Sequence, residues 1–292
     1  MTPDMWVTEK HKDSTAMSFR LKQVLFSEQS PFQHVCVVET EALGKLLLND
    51  GMTMVSEADE FVYHEMIAHV PLFAHPDPKR VLVIGGGDAG TAREVLRHKN
   101  IEKCTMVEID EAVVRACREH IPSVSCALVD PRLSVIIDDG VKYVAQTQEK
   151  FDVILIDSTD PIGPAQPLFG EDFYKNIASC LAPGGIVVSQ AESVFHGKEL
   201  QESLLKILRK IFKHLYLYNY SNLTYPGGLW SFSFASQNTT PFPKELIKKI
   251  HNSHFSFRYY NPNIHYGSFA LPNFQWEQFQ GLLDTPAFLP SI

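Results

Sequence analysis

Cysteine is scarce and scattered in this chain of 292 residues: Cys36, Cys104, Cys117, Cys126 and Cys180 are odd in number and include no C-x-x-C pair. That excludes a disulfide framework and a zinc site of paired cysteines, and leaves core thiols as the expectation. Long apolar runs are missing as well. The most apolar stretches, residues 81–84 and 153–156, are strand-sized, whereas a membrane span needs about 20 apolar residues. The start, Met1-Thr-Pro-Asp-Met-Trp6, has neither a basic beginning nor an apolar core. It does not read as a secretory signal, so a cytoplasmic location is expected. Excess positive charge is lacking: the formal net charge is −8, which argues against non-specific nucleic-acid binding and suits a cationic substrate. No G-x-S-x-G elbow and no P-loop lysine motif occurs. His64-Glu-Met-Ile-Ala-His69 imitates a zinc-protease helix, but its histidines are five apart rather than four and diverge around the helix.

What is present is enough apolar material, 45% of the residues, for a full core with room for a smaller second module. From about residue 18 to residue 55 the pattern is short, alternating and β-rich, with a turn signal at Asn49-Asp50-Gly51. This predicts a small antiparallel β module. Ser56-Glu-Ala-Asp59 resembles a capping box, and the helix after it is expected to close at Pro71, which puts Tyr63 and His64 mid-helix. His75-Pro-Asp-Pro78 is a turn-rich joint, beyond which strands alternate with helices, the signature of a parallel α/β sheet. The boundary is placed near residue 73, giving an N-terminal unit of residues 1–72 and a catalytic unit of residues 73–292. Strands are predicted at 81–84, 104–108, 133–137, 151–156 and 185–189, helices at 91–98 and 110–120, and a closing hairpin around Tyr225-Pro-Gly-Gly228. The first four strands all end in acidic or glycine-rich residues, at the sheet edge where open α/β folds bind ligands.

Gly85-Gly-Gly-Asp-Ala-Gly90 follows a strand, opens a helix, and is answered by Glu108 at the end of the next strand. Together these read as a nucleoside site: the glycines admit close backbone approach, and Glu108 accepts both ribose hydroxyls. A solvated loop acid is the plainer reading of Glu108. Asp88 separates ligand types, because a dinucleotide would lay its pyrophosphate over this loop. At about 5 Å and an effective dielectric near 20, each like-charge pair costs roughly 3 kcal/mol. A sulfonium nucleoside brings positive charge instead. Asp139 with Gly140 is placed to meet an adenine amino group; the alternative, that this acid pair only caps a helix, fits Asp138 better than Asp139.

Asp157 and Asp160 stand three apart in a loop stiffened by Pro161 and Pro164. A helix cap plus a turn residue would explain them structurally. Two acids close together are costly unless a cation lies between them, and a diamine supplies one. A primary amine, with a reference pKa near 10.4, is protonated at pH 7, and freeing its lone pair costs about 4 to 5 kcal/mol. A carboxylate and a tyrosine hydroxyl that take the proton are the usual remedy.

Seven segments carry a family resemblance: Asp59-Glu-Phe-Val-Tyr-His-Glu-Met66, Val81-Leu-Val-Ile-Gly-Gly-Gly-Asp88, Met106-Val-Glu-Ile-Asp110, Asp138-Asp-Gly140, Asp157-Ser-Thr-Asp-Pro-Ile-Gly-Pro164, Thr224-Tyr-Pro226 and Tyr259-Tyr-Asn-Pro-Asn-Ile-His265. In order, from about residue 19 to residue 274, the chain resembles the spermidine synthases, the bacterial ones especially. The resemblance implies a Rossmann-like class I methyltransferase-type α/β fold with a mostly parallel sheet and a small N-terminal antiparallel β domain, assembled as a homodimer or homotetramer. It implies aminopropyl transfer from decarboxylated S-adenosylmethionine, a co-substrate, to putrescine, without metal or other cofactor, nucleic acid or membrane. It assigns Gln33, Asp88, Glu108, Asp139 and Gly140 to the donor or its product methylthioadenosine. It assigns Tyr63, Asp157, Asp160, Gln190 and Tyr225 to the amine, with Asp157 assisting deprotonation and Asp160 holding an amine. His64, where the family has His or Gln, either shapes the amine channel or is structural.

Three positions depart from the usual pattern: Ala89 replaces a frequent glycine, Gln166-Pro167 replaces a pair such as Glu-Ser, and Trp230 is bulkier than expected. The last two bear on loop gating and acceptor length. Putrescine N-methylation is the nearest alternative, but there an apolar residue replaces the acid at Asp88. A dead polyamine-binding scaffold would tend to have lost Asp157 or Asp160. A nicotinamide dehydrogenase is disfavoured by Asp88. Putrescine, cadaverine, agmatine and spermidine stay open as acceptors.

Overall fold

The computed structural model describes residues 4–11, 14–159 and 168–288. Strands β1 (Trp6–His11), β2 (Thr15–Gln29), β3 (His34–Thr40), β4 (Gly44–Asn49) and β5 (Met52–Ser56) form an antiparallel sheet in sequence order. β1 lies ahead of the predicted module. Its only buried residue is Glu9 and Trp6 is 54% exposed, so no apolar alternation marks it in the sequence. The sheet docks through Val35, Val37, Leu47 and Val55 onto Ala112, Val113, Ala116 and Cys117.

Helix α1 (Glu60–Ala74) follows and is buried along almost its whole length. It does not end at Pro71; the proline sits in the last turn, where one missing amide is a small loss, and the His75 N–H still reaches the Pro71 carbonyl. The capping-box expectation also needs correction. Asp59 is at the N-cap but caps nothing; its carboxylate accepts from the amides of Leu223 and Thr224, both at 2.9 Å, and from the Thr224 hydroxyl at 3.0 Å. α1 packs on α2 (Gly90–Leu96) and on the second sheet.

That sheet contains β6 (Arg80–Gly85), β7 (Lys103–Glu108), β8 (Leu133–Ile137), β9 (Phe151–Asp157), β10 (Leu181–Gln190), β11 (His214–Ser221) and β12 (Leu229–Ser236), in the order β11-β12-β10-β9-β6-β7-β8. β6 to β10 run parallel, and β12 is antiparallel to both neighbours, so the hairpin expected around residue 225 closes the sheet. Helices α3 (Glu111–His120), α4 (Pro122–Ser125), α5 (Gly140–Gln146), α6 (Glu171–Cys180), α7 (Lys198–Ile211), α8 (Leu246–Asn252), α9 (Pro262–Ser268) and α10 (Asn273–Gln278) complete the fold. Period-two alternation divides each central strand between two apolar layers: Val81, Val83, Val153 and Leu155 face one, and Leu82, Ile84, Ile154 and Ile156 the other. Both faces being covered explains why these strands read as continuous apolar runs. The architecture is the methyltransferase-like one expected. From central β6 the chain winds outward through β7 and β8, then returns to β9 on the other side, opening a crevice at the carboxyl ends of β6 and β9.

Among the described residues no helix is long and apolar enough to cross a membrane. The cysteines are all free. Cys104, Cys117 and Cys180 are buried and Cys36 partly so, but Cys126 is exposed, at the start of a one-turn surface segment, and is not the core thiol expected.

Candidate active site

The crevice opens into a cavity of about 250 Å³ walled on one side by β4 and β5 and on the other by the strand ends carrying Gly85–Asp88, Glu108, Asp139, Gly140 and Asp157. The glycine loop is drawn tight against β9. Gly85 has φ +81°, and a Cβ there would stand 2.1 Å from the Asp157 carbonyl oxygen, so only glycine fits. A Cβ on Gly90 would lie 2.2 Å from the His64 ring; its absence lets α1 bring His64 into the site. Ala89 sits in the left-handed backbone region, φ 65°, so its methyl group is accommodated at a steric cost.

Asp157 is gripped on both oxygens. The Tyr63 hydroxyl donates to Oδ1 at 2.8 Å, and the Thr91 hydroxyl to Oδ2 at 2.7 Å. Burial raises its pKa above the ordinary carboxylate value and the charge of Asp88 adds to this, while His64, Thr91 and Tyr63 pull it back. Tyr63 stays a phenol: burial first, then Asp157, pushes its ionisation well up. Asp88 lies 3.3 Å from His64 Nε2 and accepts from the Gly90 amide at 2.7 Å. Burial works against its charge, but the imidazolium prevails and its pKa is lowered. His64 is not a lone helix histidine. Its Nδ1 is 2.5 Å from Glu60, which Arg93 holds at 2.7 Å. Burial disfavours its proton, yet Asp88 and Glu60 outweigh that and bring its pKa to about 10. His64, Asp88 and Asp157 bring one atom each within 4.8 Å of one another. Both ring nitrogens of His64 are turned to carboxylates, Nδ1 to Glu60 and Nε2 to Asp88.

The residues expected to meet a nucleoside are held differently. Glu108 accepts from the amides of Gly87 at 3.1 Å and Asp110 at 2.9 Å, and burial still pushes it up to about 7. Asp139 is the N-cap of α5, accepting from the Val141 amide at 2.8 Å. The capping role thus falls to Asp139, not to Asp138 as the sequence suggested; Asp138 instead accepts from the Asp139 amide and lies 3.4 Å from Lys142. Asp139 and Gly140 nonetheless line the cavity. Gln33 also lines it, its side-chain amide donating to Asp110 at 3.0 Å.

Gln190, Tyr225 and Trp230 reach the same cavity. The Tyr225 hydroxyl donates to the Met54 carbonyl at 2.7 Å, and Trp230 fixes the turn by donating to the Pro226 carbonyl at 3.0 Å. Asp160, Gln166 and Pro167 lie outside the described residues. Sequence reasoning missed Thr91, Glu60 and Arg93, whose contacts join distant positions, and Glu9 and His11 on the strand it did not foresee. The helical i,i+4 spacing of Glu60 and His64 was the one available signal.

A methyltransferase-like sheet, with one buried acid ending a strand beside the glycine loop and a buried acid–tyrosine pair ending another, is the frame of a transferase. Residues 60–244 match the family model described as the spermine/spermidine synthase domain, and residues 5–57 the one described as the spermidine synthase tetramerisation domain. The chain is 43% identical to a polyamine aminopropyltransferase of Methanocaldococcus jannaschii, over 92% of this chain and 93% of that protein. It is 44% identical to one of Desulforudis audaxviator, over 94% and 99% respectively. The crystal structure of a spermidine synthase in complex with the transition state analogue AdoDATO matches with a TM-score of 0.91 at 38% identity, covering 94% of each chain. Spermidine synthase from Thermotoga maritima matches at 0.89 and 37%, covering 96% of this chain and 95% of that one. The chain belongs to the spermine/spermidine synthase family, the polyamine aminopropyltransferases.

Proposed function

We propose that this protein is a spermidine synthase, moving the aminopropyl group of decarboxylated S-adenosylmethionine to a primary amine of putrescine and releasing spermidine and methylthioadenosine. Gln33, Asp88, Glu108, Asp139 and Gly140 hold the donor, with the ribose on Glu108. Tyr63, His64, Asp157, Gln190 and Tyr225 line the amine path, to which the family resemblance adds Asp160. The amine nitrogen attacks the carbon beside the sulfonium; the new C–N bond forms as the C–S bond breaks, and its electron pair neutralises sulfur. The observation that carries this reading is Asp157, fixed between the Tyr63 and Thr91 hydroxyls at 2.8 and 2.7 Å. Burial and Asp88 make it a stronger base than an exposed carboxylate, fit to take the amine's proton. Tyr63 positions it and stays protonated. The charge cluster around His64 is read as a seat for an ammonium, and no metal or further cofactor is proposed. The match of residues 5–57 to a tetramerisation domain supports a homodimer or homotetramer, and the cytoplasm is the proposed compartment. Mass analysis of products from decarboxylated S-adenosylmethionine and a panel of amines tests the reading: a mass gain of one aminopropyl unit on putrescine is expected, and a methyl gain from S-adenosylmethionine would overturn it.

A further inference from the structure

Helices α1 and α2 bring one hydroxyl each to Asp157: Tyr63 comes from α1 and Thr91 from α2, at 2.8 and 2.7 Å. The separation of those two hydroxyls is therefore set by how the helices are registered. Elsewhere along the α1–α2 contact runs a ladder of polar groups. Arg93 of α2 donates to both oxygens of Glu60 of α1, at 3.1 and 2.7 Å, and through Nε to Glu94 at 3.0 Å. Glu94 Oε2 lies 2.9 Å from Nε2 of His69 in α1, and His69 Nδ1 lies 2.9 Å from Nε2 of His98, just beyond α2. His69 is wholly buried, and Glu94 and His98 are 4% and 6% exposed. None of these five residues lines the cavity, so none is placed to touch a substrate.

Hydrogen-bond chemistry allows this ladder one order. Glu94, ionised beside Arg93 and Arg97, can only accept, so the His69 Nε2–H donates to it. Burial lowers the pKa of both His69 and His98, so at pH 7 both are neutral, and His69 Nδ1 is left to accept from the Nε2–H of His98. Phe73, Phe255, Phe257 and Tyr260 enclose the two imidazoles. An apolar side chain would fill such a site with less desolvation, because buried ionic groups seldom add net stability over well-packed hydrophobic ones. A directional ladder adds something else: it is satisfied in a single register, whereas apolar packing keeps its stability while losing uniqueness.

We propose that His69 and Glu94 are positioning residues for the transfer reaction: their bond fixes the register of α1 on α2, and so the separation at which Tyr63 and Thr91 hold Asp157. This rests on the aminopropyl-transfer reading above, in which Asp157 takes the amine's proton. The pair acts on the rate and not on binding, since it touches neither substrate and governs only how the base is aimed.

His69→Phe keeps an aromatic ring among aromatic neighbours and removes the bonds to Glu94 and His98. In the full-length protein it should lower kcat for putrescine about tenfold, the scale of a slightly misplaced reacting group, with the putrescine KM and methylthioadenosine affinity within about twofold of wild type. The deciding measurement is the double variant with Thr91→Val. With one of the two hydroxyls gone there is no separation left to keep, so adding His69→Phe should reduce kcat by less than about twofold more. Losses that multiply, or a kcat for His69→Phe within about twofold of wild type, overturn the proposal and leave the ladder as packing alone. Should His69→Phe fail to bind methylthioadenosine, a sign that it has not folded, Glu94→Gln takes its place in the same cycle with the same two outcomes. A wild-type protein that transfers an aminopropyl group to no amine removes the functional reading and the proposal with it, whereas wild-type transfer with multiplying losses removes the register role alone.

Discussion

The two halves of the cleft hold their acids by different means. In the half proposed for the nucleoside, Glu108 and Asp139 receive backbone amides from Gly87, Asp110 and Val141. In the half proposed for the amine, Asp157 is held by the side chains of Tyr63 and Thr91, while Asp88, between the halves, takes the Gly90 amide as well as His64, with Glu60 and Arg93 behind it. Backbone amides are fixed once the loop folds, so the first arrangement is rigid and its partners cannot be removed by mutation. The second is a network of removable groups whose charges set one another. On the proposed function, specificity for the nucleoside would lie in loop geometry, and reactivity toward the amine in electrostatics.

The largest expected break falls in the amine half. Asp157→Asn should keep fold and methylthioadenosine binding but reduce turnover at least about a hundredfold, the scale of a lost general base; near-normal turnover with an unaltered pH profile would sink its role. In the nucleoside half, Glu108→Gln should weaken methylthioadenosine about tenfold, because a charge-assisted bond to ribose is lost. Calorimetric titration checks this, and an effect confined to the amine parameters would reverse the assignment of the two halves. The same residue carries a pH signature. Its pKa is raised to about 7 in the fold, so between roughly pH 4.5 and 7 the folded state binds the proton better than the unfolded one, and stability falls as pH rises through that window. The stability of Glu108→Gln relative to wild type should thus improve from pH 5 to pH 8, by up to about 3 kcal/mol. A flat difference in thermal melting across that range would contradict it.

Asp88 belongs to both halves and gives a smaller effect. It should favour the decarboxylated donor, whose ammonium it attracts, over S-adenosylmethionine, whose carboxylate it repels. Since His64 already offsets part of its charge, Asp88→Asn should narrow that preference only about threefold to tenfold. Titration of both donors against both proteins measures the ratio, and an unchanged value would show that loop shape excludes the carboxylate. The smallest change concerns Ala89. Its left-handed backbone, φ 65°, costs about 1 kcal/mol relative to glycine, partly offset by glycine's freer unfolded chain. Ala89→Gly should gain a few tenths of a kcal/mol in denaturant unfolding with kinetics unmoved; a loss would mean that the methyl's packing outweighs the strain.

The same contrast explains what could be read from the sequence. Strand-end acids and the glycine loop are local patterns, so Asp88, Glu108, Asp139, Gly140 and Asp157 are legible as one ligand-binding edge once the strands alternate with helices. Partners brought together only by folding leave no such trace: Thr91 and Tyr63 meet Asp157 across 66 and 94 positions. Strand β1 escapes because neither face is apolar, and with it Glu9 escapes too. Punctuation by His75-Pro-Asp-Pro78 puts a boundary near residue 73, whereas α1 packs with the second sheet along its length, a fact of tertiary contact rather than of local grammar.

Asp59 forgoes the helix it stands beside and grips the backbone of Leu223 and Thr224, two residues ahead of the Pro226 turn. The segment that presents Tyr225 is therefore tied by its own amides to the junction between the two sheets. An excursion that lifts the turn from the cavity would break both charge-assisted bonds together, and we expect such opening to be a single cooperative event with its own equilibrium. Amide hydrogen exchange at Leu223 and Thr224 reads that equilibrium directly: slow in the native protein, and faster in Asp59→Asn, where the same geometry survives but the charge that closes it is gone.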